Sequence, residues 1–309
     1  MGELLIVNFH YFREEKYSSG IYPISIKDFL KQIDVLSKSY QFISQKELVE
    51  IIVERKSLNK KYCLITFDDG LKEQIEVFNL LQSKKIPAIF FVPTNAIKNR
   101  QVLDVHKLHF IRTKLDDSEL FELLDDKCNI SNYEFDNHLL INQYRYDTEK
   151  ARKIKYFLNF VLSKKKKDDL VDYFFKNLVK NEHDFADKLY MEEIDVKNLS
   201  NSDSLGSHGA DHTPLSKIAL EKAKEDIIKS VKYLENLTQS PIHSFSYPYG
   251  GIDAVDITLG SLFKTTNIIF ALTMWRGSNN TDDIKNPYFL KRLDTNDAPG
   301  GKLNSNKYG

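Results

Sequence analysis

Residues 61–71 read Lys61-Tyr62-Cys63-Leu64-Ile65-Thr66-Phe67-Asp68-Asp69-Gly70-Leu71. The apolar run from Tyr62 to Phe67 is almost unbroken and has the pattern of a strand covered on both faces; a strand with one wet face would alternate polar and apolar side chains. It ends at two carboxylates and a glycine, and the spacing of Leu71, Ile75, Phe78 and Leu81 then predicts an amphipathic helix. A buried strand turning sharply into a helix is the repeating unit of a parallel α/β sheet.

The same unit recurs on either side. Leu4-Leu5-Ile6-Val7, Ala88-Ile89-Phe90-Phe91-Val92 and Ile268-Ile269-Phe270-Ala271-Leu272 read as further buried parallel strands. Phe29, Leu30, Ile33 and Leu36 share one helical face, Ser44-Gln45-Lys46-Glu47 is a capping box opening a helix, and Leu220, Ala223, Ile227, Val231 and Leu234 mark a later helix. So many units in one chain fit an α/β fold of the distorted (β/α) barrel type better than an open sheet. From about Gln101 to Leu199 helical spacings take over, as in Ile154, Phe157, Leu158 and Val161, then Leu170, Val171, Phe174 and Leu178. The expectation is a single domain, residues 1–309, with a helical insertion over about 101–199. Lys164-Lys165-Lys166-Lys167 with Asp168-Asp169 reads as a solvated turn.

Composition narrows the function classes. The 309 residues are 41% hydrophobic and 28% charged, the profile of a globular chain and not of a disordered or collagen-like one. Lys+Arg and Asp+Glu both number 44, so no global field draws nucleic acid. The apolar runs fall far short of the roughly 20 residues a spanning helix needs, so no stable membrane insertion is expected. Cys63 and Cys128 are too few and too far apart for a disulfide framework or a thiolate metal site. The expected location is the cytoplasm, with secretion or the cell surface as the alternative if a leader has been removed. No feature specifies an oligomeric state.

Three segments fall at the ends of predicted strands. In Thr66-Phe67-Asp68-Asp69-Gly70, adjacent carboxylates diverge, so one can hold a metal while the other serves as a base; the plainer alternative is a turn former and helix cap. Ser207-His208-Gly209-Ala210-Asp211-His212 supplies two imidazoles four residues apart, a spacing that on a helical turn points both the same way. Ser246-Tyr247-Pro248-Tyr249-Gly250-Gly251 is a turn able to expose backbone N–H groups. His106 and His109 could share a helix face, but no carboxylate partner is evident beside them, and a surface or core role is the better reading.

The ordered set of Thr66-Phe67-Asp68-Asp69-Gly70, His208-Gly209-Ala210-Asp211-His212 and Tyr247-Pro248-Tyr249-Gly250 resembles the polysaccharide deacetylase family, also called carbohydrate esterase family 4 or the NodB homology domain. The resemblance covers roughly residues 3–110 and 200–294. It implies a metal-dependent hydrolase with a carbohydrate substrate, removing N-acetyl groups from amino-sugar units of a surface glycan or its precursor. It matches Asp68 to the catalytic base, Asp69, His208 and His212 to the ligands of one divalent metal, and Tyr249 to the oxyanion-binding residue. The metal is expected to be zinc, with nickel, cobalt or manganese as alternatives. Pro248 and Trp275 are placed with Tyr249 on the substrate side.

Two positions depart from the common pattern. Ser246 stands where many members carry an arginine that orients the base, and Leu290-Lys291-Arg292-Leu293-Asp294 lacks the usual histidine acid. The pattern is similar instead to the branch containing poly-N-acetylglucosamine deacetylases, in which a histidine after the first strand and an arginine near the end take those tasks; His10 and Arg292 stand in the matching places. The rival reading is a catalytically silent, carbohydrate-binding member that retains the metal cage. The insertion is read as a layer bordering the active-site mouth, against an equally weighted reading as a remote packing or dimerisation element.

Overall fold

In the computed structural model, which describes residues 2–303, eight strands form one sheet: β1 (Glu3–Phe9), β2 (Gln41–Phe42), β3 (Lys61–Phe67), β4 (Ala88–Val92), β5 (Leu205–Ser207), β6 (Ser244–Ser246), β7 (Phe270–Leu272) and β8 (Leu293–Asp294). They lie in the order β7-β6-β5-β4-β3-β1-β8, with β2 also against β3, and every pairing is parallel. Such a sheet must be covered on both faces, and it is. Leu5, Val7 and Phe9 of β1 and Cys63, Ile65 and Phe67 of β3 pack with the helices that include Phe29, Ile33, Phe78 and Leu81. The alternate residues Leu4, Ile6 and Leu64 join Ile89, Phe91, Phe270 and Leu272 in a second cluster. Because β7 lies at the far edge from β1, that shared cluster requires the sheet to curl, and it forms a half-barrel of the expected type. The segment 290–294 spans the gap, bridging Leu272 through Leu290 and pairing Val7 and Asn8 through β8.

The inner register places the site. Toward the C-terminal ends of the strands the concave face changes from Leu4 and Ile6 to Asn8, from Leu64 to Thr66 and Asp68, and carries Ser246 on β6. The period of two that buries leucine and isoleucine at the bottom of the barrel aims polar groups into its mouth at the top.

The capping box at Ser44 and Glu47 forms as expected. The helix after Asp69-Gly70 begins later than its spacing predicts, at Gln74. Leu71 is occupied by an antiparallel bridge to Tyr190, flanked by Lys72 N–H donating to the Leu189 carbonyl at 2.8 Å and Met191 N–H to the Gly70 carbonyl at 3.0 Å. The insertion is helical from Asp104–Lys114 through Glu193–Asn201, and those bonds stitch its returning end to the turn that carries the two carboxylates. Lys164-Lys165-Lys166-Lys167 is not a turn: Ser163 caps the helix Lys164–Leu178, and Lys167 faces inward from its first turn. Among the described residues no helix is long and apolar enough to cross a membrane.

Gly206 sits in β5 between β4 and β6, where an added Cβ would run into the Phe91 ring and the Ser244 hydroxyl. Gly206→Ala is expected to lower the unfolding free energy by about 1–3 kcal/mol through overpacking, measured as a fall in the denaturant midpoint without change of slope.

Candidate active site

Asp68 and Asp69 are both buried at the end of β3 and are held by different partners. Asp69 has φ of +80°, a left-handed conformation that costs a non-glycine residue on the order of 1–2 kcal/mol. That turn sends consecutive side chains to separate sets of neighbours. His212 (φ +51°) and Tyr249 (φ +61°) share this conformation, so three of the residues singled out by sequence carry backbone strain, a pattern associated with functional sites.

Asp68 is gripped by Arg292, which is fully buried. Arg292 Nη1 donates to Oδ1 at 3.1 Å and Nη2 to Oδ2 at 2.9 Å, a bidentate pair. The remaining donors are used as well: Nε bonds the Thr273 carbonyl at 2.9 Å, and Nη2 also reaches Ser246 Oγ at 2.8 Å. Ser246 thus receives the guanidinium that arrives from β8. Asn8 Nδ2 adds a bond to Asp68 Oδ2 at 2.9 Å, and the Thr66 hydroxyl is shared between the Val7 carbonyl at 2.9 Å and Asn8 Oδ1 at 3.2 Å. Burial alone would raise the Asp68 pKa, but Arg292, then His208 and His10, more than offset it and hold the carboxyl at about 2. Asp68 is therefore an anion throughout the neutral range, with a free-energy cost of protonation that keeps it an acceptor.

Asp69 faces imidazoles. Its Oδ1 lies 3.3 Å from His212 Nε2 and 3.5 Å from His208 Nε2. His208 Nδ1 bonds the Ser246 carbonyl at 2.7 Å, so Nδ1 carries the proton and Nε2 turns its lone pair toward Asp69. The histidines are not on a helix. His208 follows β5, and the left-handed residues Gly209 and His212 fold the loop back so that both rings meet one oxygen. Asp69 Oδ1 is buried and has no hydrogen-bond partner among the described residues, nor has His212 Nδ1. An anionic oxygen left bare between two imidazole nitrogens fits a cation held by all three, and Asp69, His208 and His212 are a candidate metal site.

Sequence reasoning missed the third imidazole beside Asp69. His106, from the insertion's first helix, is buried and places Nε2 3.1 Å from Asp69 Oδ2, while its Nδ1 lies 2.6 Å from the Tyr190 hydroxyl. The carboxylate partner that seemed absent at His106 is 37 residues earlier in the chain, beyond the reach of any local pattern. Burial would raise the Asp69 pKa, but His106, bonded to Oδ2, holds it well below the usual carboxylate range.

A cavity of about 260 Å³ opens over these groups, lined by Asn8, His10, Asp68, Asp69, His208, His212 and Tyr249 on the barrel side. The insertion supplies the opposite wall through His109, Gln143, Tyr144, Lys155 and Asn159, which places it at the mouth and not at a remote face. Tyr249 packs against that wall: its hydroxyl donates to Asn159 Oδ1 at 3.0 Å and accepts from Lys167 Nζ at 3.3 Å. Its N–H donates to no backbone carbonyl among the described residues. Two substrate-side expectations change. Met274 and Arg276 line the cavity, so extended-chain alternation turns Trp275 away, and its ring stacks on Phe289 at 5.8 Å. Pro248 is likewise outside the lining and lies against the Gly209 turn, between the two candidate ligand histidines.

Breaking the buried pair should be costly. Arg292→Ala is expected to lose about 3–5 kcal/mol of stability, and Asp68→Asn in the same chain should restore part of it, measured by chemical denaturation. Asp68's folded pKa lies below its unfolded value, so its stabilisation is complete above about pH 4. It is lost as pH falls toward 2, and an acid titration of Asp68→Asn should lack that component.

A family model described as polysaccharide deacetylase matches residues 160–261. That range contains His208 and His212 of the candidate metal site and the Tyr247-Pro248-Tyr249-Gly250 turn and leaves Asp68, Asp69 and Arg292 outside it. No curated protein matches the chain. Solved structures share its fold: the deacetylase PplD of Streptococcus pyogenes, in complex with acetate, at 12% identity and a TM-score of 0.59, covers 99% of this chain and 97% of its own. IcaB from Ammonifex degensii has 17% identity and a TM-score of 0.55, with 95% and 91% covered. A de-N-acetylase from Aggregatibacter actinomycetemcomitans has 11% identity and a TM-score of 0.56, with 94% of each chain covered. The chain is thus similar to the polysaccharide deacetylases in sequence over residues 160–261, and it shares the fold of these structures over nearly its whole length.

Proposed function

We propose that this chain is a metal-dependent hydrolase that removes N-acetyl groups from amino-sugar units of a glycan. The observation that carries the reading is the split environment of two consecutive carboxylates: Asp68 held as an anion by Arg292, Asp69 presenting a bare oxygen to His208 and His212. Two imidazole nitrogens and one carboxylate oxygen suit zinc, and would also accept nickel, cobalt or manganese. When bound, the metal supplies Lewis acidity to the acetyl carbonyl and acidifies water at the site. Asp68 accepts the proton of the attacking water, its orientation fixed by the two-point grip of Arg292. The Tyr249 N–H, which donates to no backbone carbonyl among the described residues, is the group assigned to the carbonyl oxygen as it gains negative charge.

The departing nitrogen needs a proton. Both His10 and His109 line the cavity, the latter in place of the surface or core role expected of it. Burial pushes His109 well below the usual imidazole range, and its Nδ1 is tied to the Tyr11 hydroxyl at 3.0 Å. It is therefore not an imidazolium at neutral pH, which favours His10 as the donor. The silent-member reading rested on the missing arginine and histidine; Arg292 on Asp68 and His10 in the cavity supply groups suited to both tasks.

A second cavity of about 610 Å³ adjoins the first and shares His10, His109, Tyr146, Asp147, Lys155 and Asp294 with it. Room for neighbouring sugar units, with the rings of Tyr22 and Tyr146 on its walls, favours an oligomeric glycan over a free monosaccharide. Hydrolysis of acetylated hexosamine oligomers by the metal-loaded chain tests the reading. No acetate release from any oligomer or monomer overturns it.

Asp68→Asn should keep its metal and lose turnover by about 10²–10⁴-fold, measured as acetate release with metal content determined on the same sample. His10→Ala should lose much more activity on the amide than on an activated acetyl ester, whose leaving group needs little protonation. Equal amide rates for mutant and parent would remove His10 from the acid role.

A further inference from the structure

Asp69 has two oxygens, and the metal reading uses one. Oδ2 is occupied by His106, and the bonds behind His106 form a directed chain. The Leu103 N–H can only donate, and it bonds the Tyr190 hydroxyl oxygen at 3.0 Å. That leaves the Tyr190 O–H proton for His106 Nδ1 at 2.6 Å. An ionised Asp69 can only accept, so His106 Nε2, at 3.1 Å, carries the ring's proton. One neutral tautomer satisfies both ends, and every bond in the chain points its hydrogen toward Asp69.

The backbone closes the circuit. Tyr190 is bridged to Leu71, and Met191 N–H bonds the Gly70 carbonyl at 3.0 Å, so the residue that steadies His106 is itself pinned beside Asp69. His106 lies near the insertion's entrance and Tyr190 near its exit, and they meet at one carboxylate. From these contacts we infer that His106 and Tyr190 are positioning residues that lock the Asp69 carboxylate so that Oδ1 faces the cation site; this rests on the reading of Asp69 as a metal ligand. With Oδ2 held, the carboxylate cannot rotate about its last bond or take both oxygens away from His208 and His212. His106 is not itself counted among the ligands, because its Nε2 is spent on Oδ2.

Zinc affinity, measured by chelator competition on the full chain, tests this. Partners one bond behind a ligand typically change metal affinity by about 10–100-fold, and His106→Ala is expected to weaken binding within that range. The decisive pair is His106→Gln and His106→Asn. A glutamine amide nitrogen falls where Nε2 was and keeps the bond to Asp69, whereas an asparagine nitrogen falls near Nδ1 and does not. Glutamine should stay within a few-fold of the parent, and asparagine should resemble alanine. Tyr190→Phe, which frees the tautomer, should give a smaller loss. Wild-type affinity in His106→Ala, equal affinity in the glutamine and asparagine variants, or three imidazoles counted around zinc by X-ray absorption would each overturn the inference. Failure of the unsubstituted chain to bind zinc would instead overturn the metal reading on which it stands.

Discussion

Consecutive residues on an extended strand face opposite sides of a sheet, and here the chain must put two neighbouring carboxylates into one cavity with different partners. The left-handed turn at Asp69 resolves the conflict, and much of the site answers to it. Two buried anions side by side would repel each other and pay heavily for lost hydration. Each is therefore matched: Asp68 by a guanidinium with all its donors engaged, Asp69 by imidazoles and the place between them. The backbone strain at Asp69, His212 and Tyr249 is sustained because the curled sheet over-determines the loops that carry it.

The insertion has two relations to this centre. Its middle forms a wall, with Asn159 and Lys167 fixing the Tyr249 ring and His109 and Lys155 narrowing the mouth. Its ends reach deeper, since the entering helix brings His106 and the returning segment brings Tyr190, bridged to Leu71. The insertion leaves β4 at the C-terminal edge of the sheet and comes back to that edge at Tyr190, bridged to Leu71, before the helix Glu193–Asn201 leads to the opposite edge and the start of β5; its entrance and its return therefore both pass close to Asp69. Burying polar groups at those ends is tolerable because each finds a partner with fixed direction.

The fold was legible wherever burial on both faces produced long apolar runs. The boundaries of β3 and β4 can be read directly from Lys61–Phe67 and Ala88–Val92. β5, β6 and β8 are two or three residues long and carry glycine, serine or aspartate, so the strand ends before His208 and Tyr247 show as short patterns and not as long apolar runs. In the site, sequential clusters were visible and long-range partners were not. His208 and His212 were found by spacing, although a folded loop and not a helix brings them together. His106 was passed over because its partner depends on how the insertion docks. Trp275 is placed on the substrate side in the sequence reading, whereas its ring stacks on Phe289, a partner that no local pattern shows. Lys167, one of four lysines in a row, gave no sign that it alone turns inward.

The segment that spans the open side of the barrel also carries Arg292. Its contact with Asp68 covers 224 residues of sequence, so closing the sheet and neutralising the buried carboxylate are a single event. During synthesis β1, β3 and β4 emerge long before residue 292, and for that interval Asp68 has no guanidinium and favours an open, hydrated strand end. Until that segment arrives, burying the Asp68 carboxylate carries a desolvation cost with no guanidinium to offset it.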